Sequence, residues 1–180
     1  MESRRGNEGT VLESPGLNLI LFQVGWFACA LGAANGVPMV GPLTVAAIIG
    51  VSYYNHPRRM QRLRFIAIAT VVGSCYDSLG LMLGFFSFPA PSLAPWPYPF
   101  WMSALWAVFA TTCYASLSWM RERLLLAALF GLIGGPLSYL AGEKLGAIAL
   151  GVPLEGALIG IGIMWLLATP GLFWLSSKLQ

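Results

Sequence analysis

Six apolar runs, separated by short polar or turn-forming stretches, make up nearly all of this chain. They extend from about Leu17 to Ala34, Val40 to Tyr54, Phe65 to Phe86, Trp101 to Met120, Leu124 to Gly142 and Gly156 to Leu175. Roughly 20 apolar residues in a helix cross about 30 Å of hydrocarbon, and a helix satisfies its own backbone where no water can. The pattern predicts an all-α, polytopic membrane protein: a compact bundle of six transmembrane helices forming one domain, 17–180, behind a polar tail, 1–16. The second run is short, and Gly41-Pro42 near its start is expected to bend it or leave it partly unwound. Small-residue triplets such as Ala28-Cys29-Ala30 resemble signal-peptide cleavage sites, but Gln23 and Trp26 interrupt the apolar run, so the first helix is expected to stay.

Charge orients the bundle. Nine of the ten Lys and Arg residues fall on one side of six crossings: Arg4 and Arg5, Arg58, Arg59, Arg62 and Arg64, Arg121 and Arg123, and Lys178. Lys144 falls opposite. Positive residues in short loops stay cytoplasmic, so both termini are expected there. On the outer side, Ser87 to Phe100 carries five prolines interleaved with Trp96 and Tyr98 and no charge. That stretch is predicted to lie extended at the headgroup level, as an anchor or a lid over a cavity.

Composition narrows the function classes. Apolar residues are 57% of the chain and charged residues 9%, with a mean hydropathy of +0.73. Nothing is left over for a soluble catalytic module, so any chemistry lies between helices. The net charge of +3 reports orientation, and no nucleic-acid partner is expected. Cys29, Cys75 and Cys113 stand singly in different runs, without the paired spacing of a redox or metal motif, so no metal or cofactor is expected.

Asp77 is the acidic residue clearly inside a run. At 1.5 Å per residue it stands roughly 18 Å from the cytoplasmic end of a helix beginning at Phe65, near mid-bilayer. An aspartate there costs about 2.5–3.5 kcal/mol on insertion scales, so it is expected to face the bundle, either protonated or hydrogen-bonded. Thr111 and Thr112 lie at comparable depth, and Gln23, Tyr76 and Tyr139 are further candidates. Asp77 then either locks helices together as a protonated acid or forms a substrate or proton site. Gln23 and Trp26, three apart, share a helix face, where they either pack between helices with one hydrogen bond or offer an amide and an indole to a polar ligand. Arg58, Arg59, Arg62 and Arg64 form a basic loop, Asn55 to Arg64, that retains the loop inside and can contact lipid headgroups. His56 is expected to face solvent, and Glu143 and Lys144 to form a solvated cap. Glycines at four-residue spacing, Gly32 and Gly36, Gly131 and Gly135, Gly156 and Gly160, are expected where helices approach closely. Gly41-Pro42-Leu43 and Gly135-Pro136-Leu137 fall at equivalent places in two three-helix halves, a short echo of an inverted repeat.

Several enzyme classes lack their parts. Di-iron chemistry needs many inward carboxylates and histidines, and the chain has one histidine. A serine hydrolase needs its base beside the nucleophile, and His56 lies at the cytoplasmic edge. An intramembrane aspartyl protease needs a second carboxylate beside Asp77. Enzymatic activity is therefore the weaker class.

NLILFQVGWF (Asn18 to Phe27), YDSLGLMLG (Tyr76 to Gly84), ALWAVFATT (Ala104 to Thr112), SLSWM (Ser116 to Met120) and GGPLSYLAGEKLGA (Gly134 to Ala147) together resemble domain-of-unknown-function family 2878, a bacterial inner-membrane family. The resemblance covers nearly the whole chain after the tail. It implies an inner-membrane location and a part in envelope-lipid maintenance, and it assigns no role to any residue. The leading expectation is a membrane protein that binds a lipid or small amphipathic molecule among its helices, with Asp77 at the polar end. A second is a small-molecule carrier or the binding subunit of a transporter, since size and span count resemble energy-coupling-factor substrate subunits. In that case a small-residue face at Ala30 and Ala34 would dock a membrane protein partner. A third is a structural subunit without ligand.

Overall fold

In the computed structural model, which describes residues 14–89 and 99–179, the apolar runs form six α-helices. They are α1 (Pro15–Ala34), α2 (Val40–Tyr53), α3 (Arg59–Met82), α4 (Phe100–Thr112), α5 (Leu124–Lys144) and α6 (Leu154–Lys178). Most of the tail, with Arg4 and Arg5, and most of the proline-rich stretch, with Trp96 and Tyr98, lie outside the described residues. Four helices, α1, α3, α5 and α6, are long and apolar enough to cross a membrane. The most apolar part of α5 buries only 22% of its residues, and large apolar side chains such as Leu125, Ile133 and Leu137 point outward. That exposure suits contact with hydrocarbon and not with water.

Local chemistry explains the helix boundaries. Ser14 accepts the Leu17 N–H at the start of α1, and Pro15 occupies the first turn, where a missing N–H costs nothing. Pro42 is likewise in the first turn of α2, so Gly41-Pro42 leaves that helix continuous rather than unwound. Gly36 lies in the turn after α1 at φ +74°, a conformation that favours glycine. It is therefore no helical partner of Gly32. The helix α3 begins at Arg59, so Arg59, Arg62 and Arg64 belong to its first turns, and the predicted basic loop shrinks to the residues before Arg59.

The expected fourth crossing is shorter than its apolar run. Regular helix stops at Thr112, and the chain continues through turns into a 3-10 segment, Ser118–Glu122. Thr111 and Thr112 turn their hydroxyls back onto the carbonyls of Val108 and Phe109, which loosens helical pairing. Asn18 of α1 then accepts the N–H and hydroxyl of Ser116, at 3.3 and 2.7 Å. At about 1.5 Å per residue, α4 is only about 20 Å long. It is nonetheless deeply buried, with Trp106, Val108, Phe109 and Ala110 all inside.

Packing runs as a chain of neighbours: α2 on α1, both on α4, α4 on α3, α3 on α6, and α6 on α5. The α5–α6 pair is the tightest, because Gly131 and Gly135 of α5 sit directly against Trp165 and Thr169 of α6. Gly160 of α6 receives the Phe85 ring, whereas Gly156 meets nothing closer than Pro153. A two-residue antiparallel ribbon, β1 (Phe86–Ser87) with β2 (Ala149–Leu150), ties the end of α3 to the start of α6. Glu143 accepts the Leu150 N–H there at 2.8 Å, so it braces the ribbon as well as ending α5.

Candidate functional site

Asp77 is 3% exposed and stands where α3, α4 and α5 converge. Its Oδ2 accepts the Trp106 indole N–H and its Oδ1 accepts the Tyr139 hydroxyl, both at 2.7 Å. The indole bond is at the short end for N–H···O, and the phenol bond is of ordinary O–H···O length. One side chain thus joins three helices. Gly73, one turn before Asp77, lets the Trp106 ring approach: a methyl group there would lie 2.1 Å from it. Trp106 in turn stacks on Trp165 of α6, centroids 4.8 Å apart and planes 8° apart. Phe109 meets both indoles edge-on.

Beside this cluster is a cavity of about 60 Å³, whose wall includes Asp77, Trp106, Tyr139, Trp165, Phe22 and Trp26. A much larger groove of about 600 Å³ opens between α1 and α5. Its α1 side carries Leu19, Phe22, Gln23 and Trp26; its α5 side carries Gly131, Gly134, Gly135 and Ser138; Phe109, Thr112 and Trp165 form its floor. Phe22, Trp26, Phe109, Ser138 and Trp165 line both spaces. The groove and the carboxylate cavity therefore lie on either side of these five side chains. Across that boundary the Trp26 indole donates to the Ser138 hydroxyl at 3.1 Å, linking α1 to α5.

The residues singled out from sequence divide accordingly. Asp77 and Tyr139 are hydrogen-bonded to each other, and Trp26 lines the same cavity. Gln23 is exposed in the groove, on the face it shares with Trp26. Tyr76 is half-buried, one residue round α3 from Asp77, and is not in the cavity wall. Thr111 and Thr112 lie about 7.5–9 Å further along α4 than Trp106, level with the first turn of α1 and not with Asp77, and serve other partners: Thr111 accepts from the Asn18 amide at 3.2 Å, and both bond their own helix. Trp106 and Ser138 were missed, since an indole and a serine in an apolar run read as packing. Asn18 was also missed, although an amide inside a predicted span is a standing signal for a buried partner.

At the opposite end of the helices from Lys144, Arg58, Arg59 and Arg64 are exposed, while Arg62 lies with its guanidinium 3.6 Å from the Tyr114 ring centre. Arg62 is thereby partly a packing residue. His56 is buried rather than solvent-facing: its Nδ1 accepts the Arg58 N–H at 3.0 Å, and its ring meets Tyr53 edge-on. The reason is the tight turn between α2 and α3, which folds the imidazole back against the helix end. Ala30 is also buried, against the core around Val45 and Val108, so it is not available as a docking face with Ala34.

Among known proteins, no curated protein and no solved structure matches the chain. The profile of one family, described as "Protein of unknown function (DUF2878)", matches residues 16–171, from the start of α1 almost to the end of α6. The match takes in Asp77, Trp106, Tyr139 and every residue of the groove. The chain belongs to the DUF2878 family of proteins of unknown function.

Proposed function

We propose that this protein crosses the bacterial inner membrane six times, with both termini in the cytoplasm. In it, the groove between α1 and α5 holds the alkyl chain of a membrane lipid or small amphipathic molecule, whose polar end reaches the Asp77 cavity. The observation that carries this reading is the adjacency of the two spaces: an apolar groove along the side of the bundle shares five wall residues with the small cavity that Asp77 lines. Such a mixture, mostly apolar walls with a few converging polar groups, is what small-molecule sites have in common. A carboxylate that served only as a helix lock would have no need of an open groove beside it. The basic start of α3, with Arg58, Arg59 and Arg64 exposed, would meet anionic headgroups at the cytoplasmic face, each contributing about 1 kcal/mol. Envelope-lipid maintenance is the role this reading favours.

Gly134 gives a clean test. It lines the groove, and a Cβ there meets nothing nearer than Phe130 at 3.8 Å, so Gly134→Phe fills the groove with little disturbance of the helix packing. Native mass spectrometry of protein released gently from membrane is expected to show a bound lipid or amphiphile on the wild type and a several-fold lower occupancy on Gly134→Phe. Equal occupancy, or a wild type without adducts, removes the proposal.

A further inference from the structure

We infer that the occupant of the α1–α5 groove is a neutral lipid, one whose uncharged carbonyl or hydroxyl pairs with the Gln23 amide on the groove side of the Asp77 cavity, deep in the bilayer. This rests on the groove reading above and adds the chemistry of the ligand.

Gln23 stands eight residues after Pro15, the first residue of α1. At 1.5 Å per residue that is about 12 Å along the helix, well inside hydrocarbon about 30 Å thick. Its side chain is exposed, lines the groove and hydrogen-bonds to no described residue. A primary amide offers two N–H donors and a carbonyl acceptor, and leaving them unpaired is costly where no water reaches. One turn further along α1, the Trp26 indole donates to Ser138 of α5 at 3.1 Å, so the amide lies beside the seam between the two helices. The Ser138 hydroxyl accepts that bond and gives its own proton to no described residue. The other polar side chains in the wall are Thr112, whose hydroxyl is given to the Phe109 carbonyl, and Trp165, whose N–H neighbours the Tyr139 hydroxyl. Gln23 and Ser138 thus present unspent hydrogen-bonding groups to whatever fills the groove, one from each wall.

Charge is what the groove lacks. Among the described residues no ionisable side chain lines it, while Arg58 and Arg59 stand at the start of α3, Arg123 at the start of α5 and Lys178 at the end of α6. A phosphate drawn to the depth of Gln23 leaves water and those cations behind and finds nothing to offset an ion in a low-dielectric surrounding. A phospholipid can therefore lend the groove only its chains, with the amide left unpaired. A neutral lipid such as a diacylglycerol or a long-chain alcohol does both. It lays its chain along Leu19, Phe22 and Phe130 and brings a carbonyl or hydroxyl oxygen to the Gln23 N–H and the Ser138 O–H. The preference holds whether Asp77 is ionised or protonated, since Asp77 is not in the groove wall.

Two lipids with the same acyl chains, dioleoylglycerol and dioleoylphosphatidic acid, differ only in a phosphate and decide the matter. Each is added at the same concentration to the full-length protein in a neutral maltoside micelle, and one-to-one adducts are counted by native mass spectrometry for wild type, Gln23→Leu and Gly134→Phe. Adducts that Gly134→Phe abolishes are those in the groove. Groove adducts of dioleoylglycerol should exceed those of dioleoylphosphatidic acid by about tenfold or more, because only the second must bury an ion. Gln23→Leu should lower dioleoylglycerol binding by about two- to tenfold, what one net hydrogen bond contributes. Thermal unfolding without added lipid gives a reading that a purely structural role would move: Gln23→Leu should melt at or above the wild-type temperature, since leucine leaves nothing unpaired. Groove adducts of dioleoylphosphatidic acid at or above those of dioleoylglycerol, or groove binding of dioleoylglycerol that Gln23→Leu leaves unchanged, overturns the inference while the groove reading stands. A lower melting temperature for Gln23→Leu assigns the amide to helix packing and likewise overturns it. If Gly134→Phe changes no adduct of either lipid, both readings fall.

Discussion

At the scale of single residues, the site is organised by one acid and the donors that find it. Tyr139→Phe deletes one hydrogen bond to Asp77 and changes little else, so it is expected to lower unfolding stability in detergent by about 1–3 kcal/mol. Thr112→Val is the comparison: its hydroxyl bonds a carbonyl of its own helix, and its loss is expected to stay within about 1 kcal/mol. Should thermal unfolding rank the two the other way round, the sequence-level idea that the threonines serve Asp77 returns. That idea failed for a geometric reason. Thr111 follows Trp106 by five residues, about 140° around a helix, so when the indole faces α3 the threonine must face elsewhere, and it meets Asn18. Thr111 also sits about 7.5 Å further along α4 than Trp106, so the depth inferred from residue counts was off by a turn or more. Azimuth depends on how each helix is rotated by its neighbours.

Helices pair here through glycine, and the structure separates glycines that are needed from those that are merely present. A methyl group on Gly131 would lie 2.2 Å from the Trp165 carbonyl oxygen, part of the backbone, so no side-chain rotation relieves it. Gly131→Ala is expected to push α5 from α6 and destabilise by about 1–3 kcal/mol or more, seen as a lower melting temperature. Gly134→Ala, one turn on and facing open groove, is expected to be neutral or stabilising by up to about 1 kcal/mol from helix propensity. The four-residue spacing correctly picked out Gly131 and Gly135 on α5 and passed over Gly134, yet it gave no way to separate Gly160 from Gly156. The boundary of α4 was likewise hidden: its run is apolar through Met120, and the stop at Thr112 comes from hydroxyls and from Asn18 nearly a hundred residues away.

For the molecule as a whole, the open question of topology has a direct check. Reporter domains fused after Gln180 and before Met1 are both expected to report cytoplasm, with a reporter inserted near Lys144 reporting the outer side. Ends in different compartments would exclude six crossings and, with them, a groove that opens to the bilayer. The order of packing puts that groove where it is. Because α1 leans on α2 and α4 while α5 leans on α6, the first and fifth helices border a seam spanned by the Trp26–Ser138 bond.

The sequence by itself determined that the chain is helical and apolar, where most of its helices start and stop, which family it belongs to, and that Asp77 is the side chain most in need of company. Those features are written along the chain, in hydropathy, turn residues and the cost of burying an acid. Tertiary structure alone decided who that company is, that Trp106 rather than a threonine answers it, and that a groove adjoins its cavity. Partners and voids arise between helices far apart in sequence, and their rotation is settled by the sum of contacts such as Gly73 under Trp106 and Gly131 against Trp165, which no local pattern records.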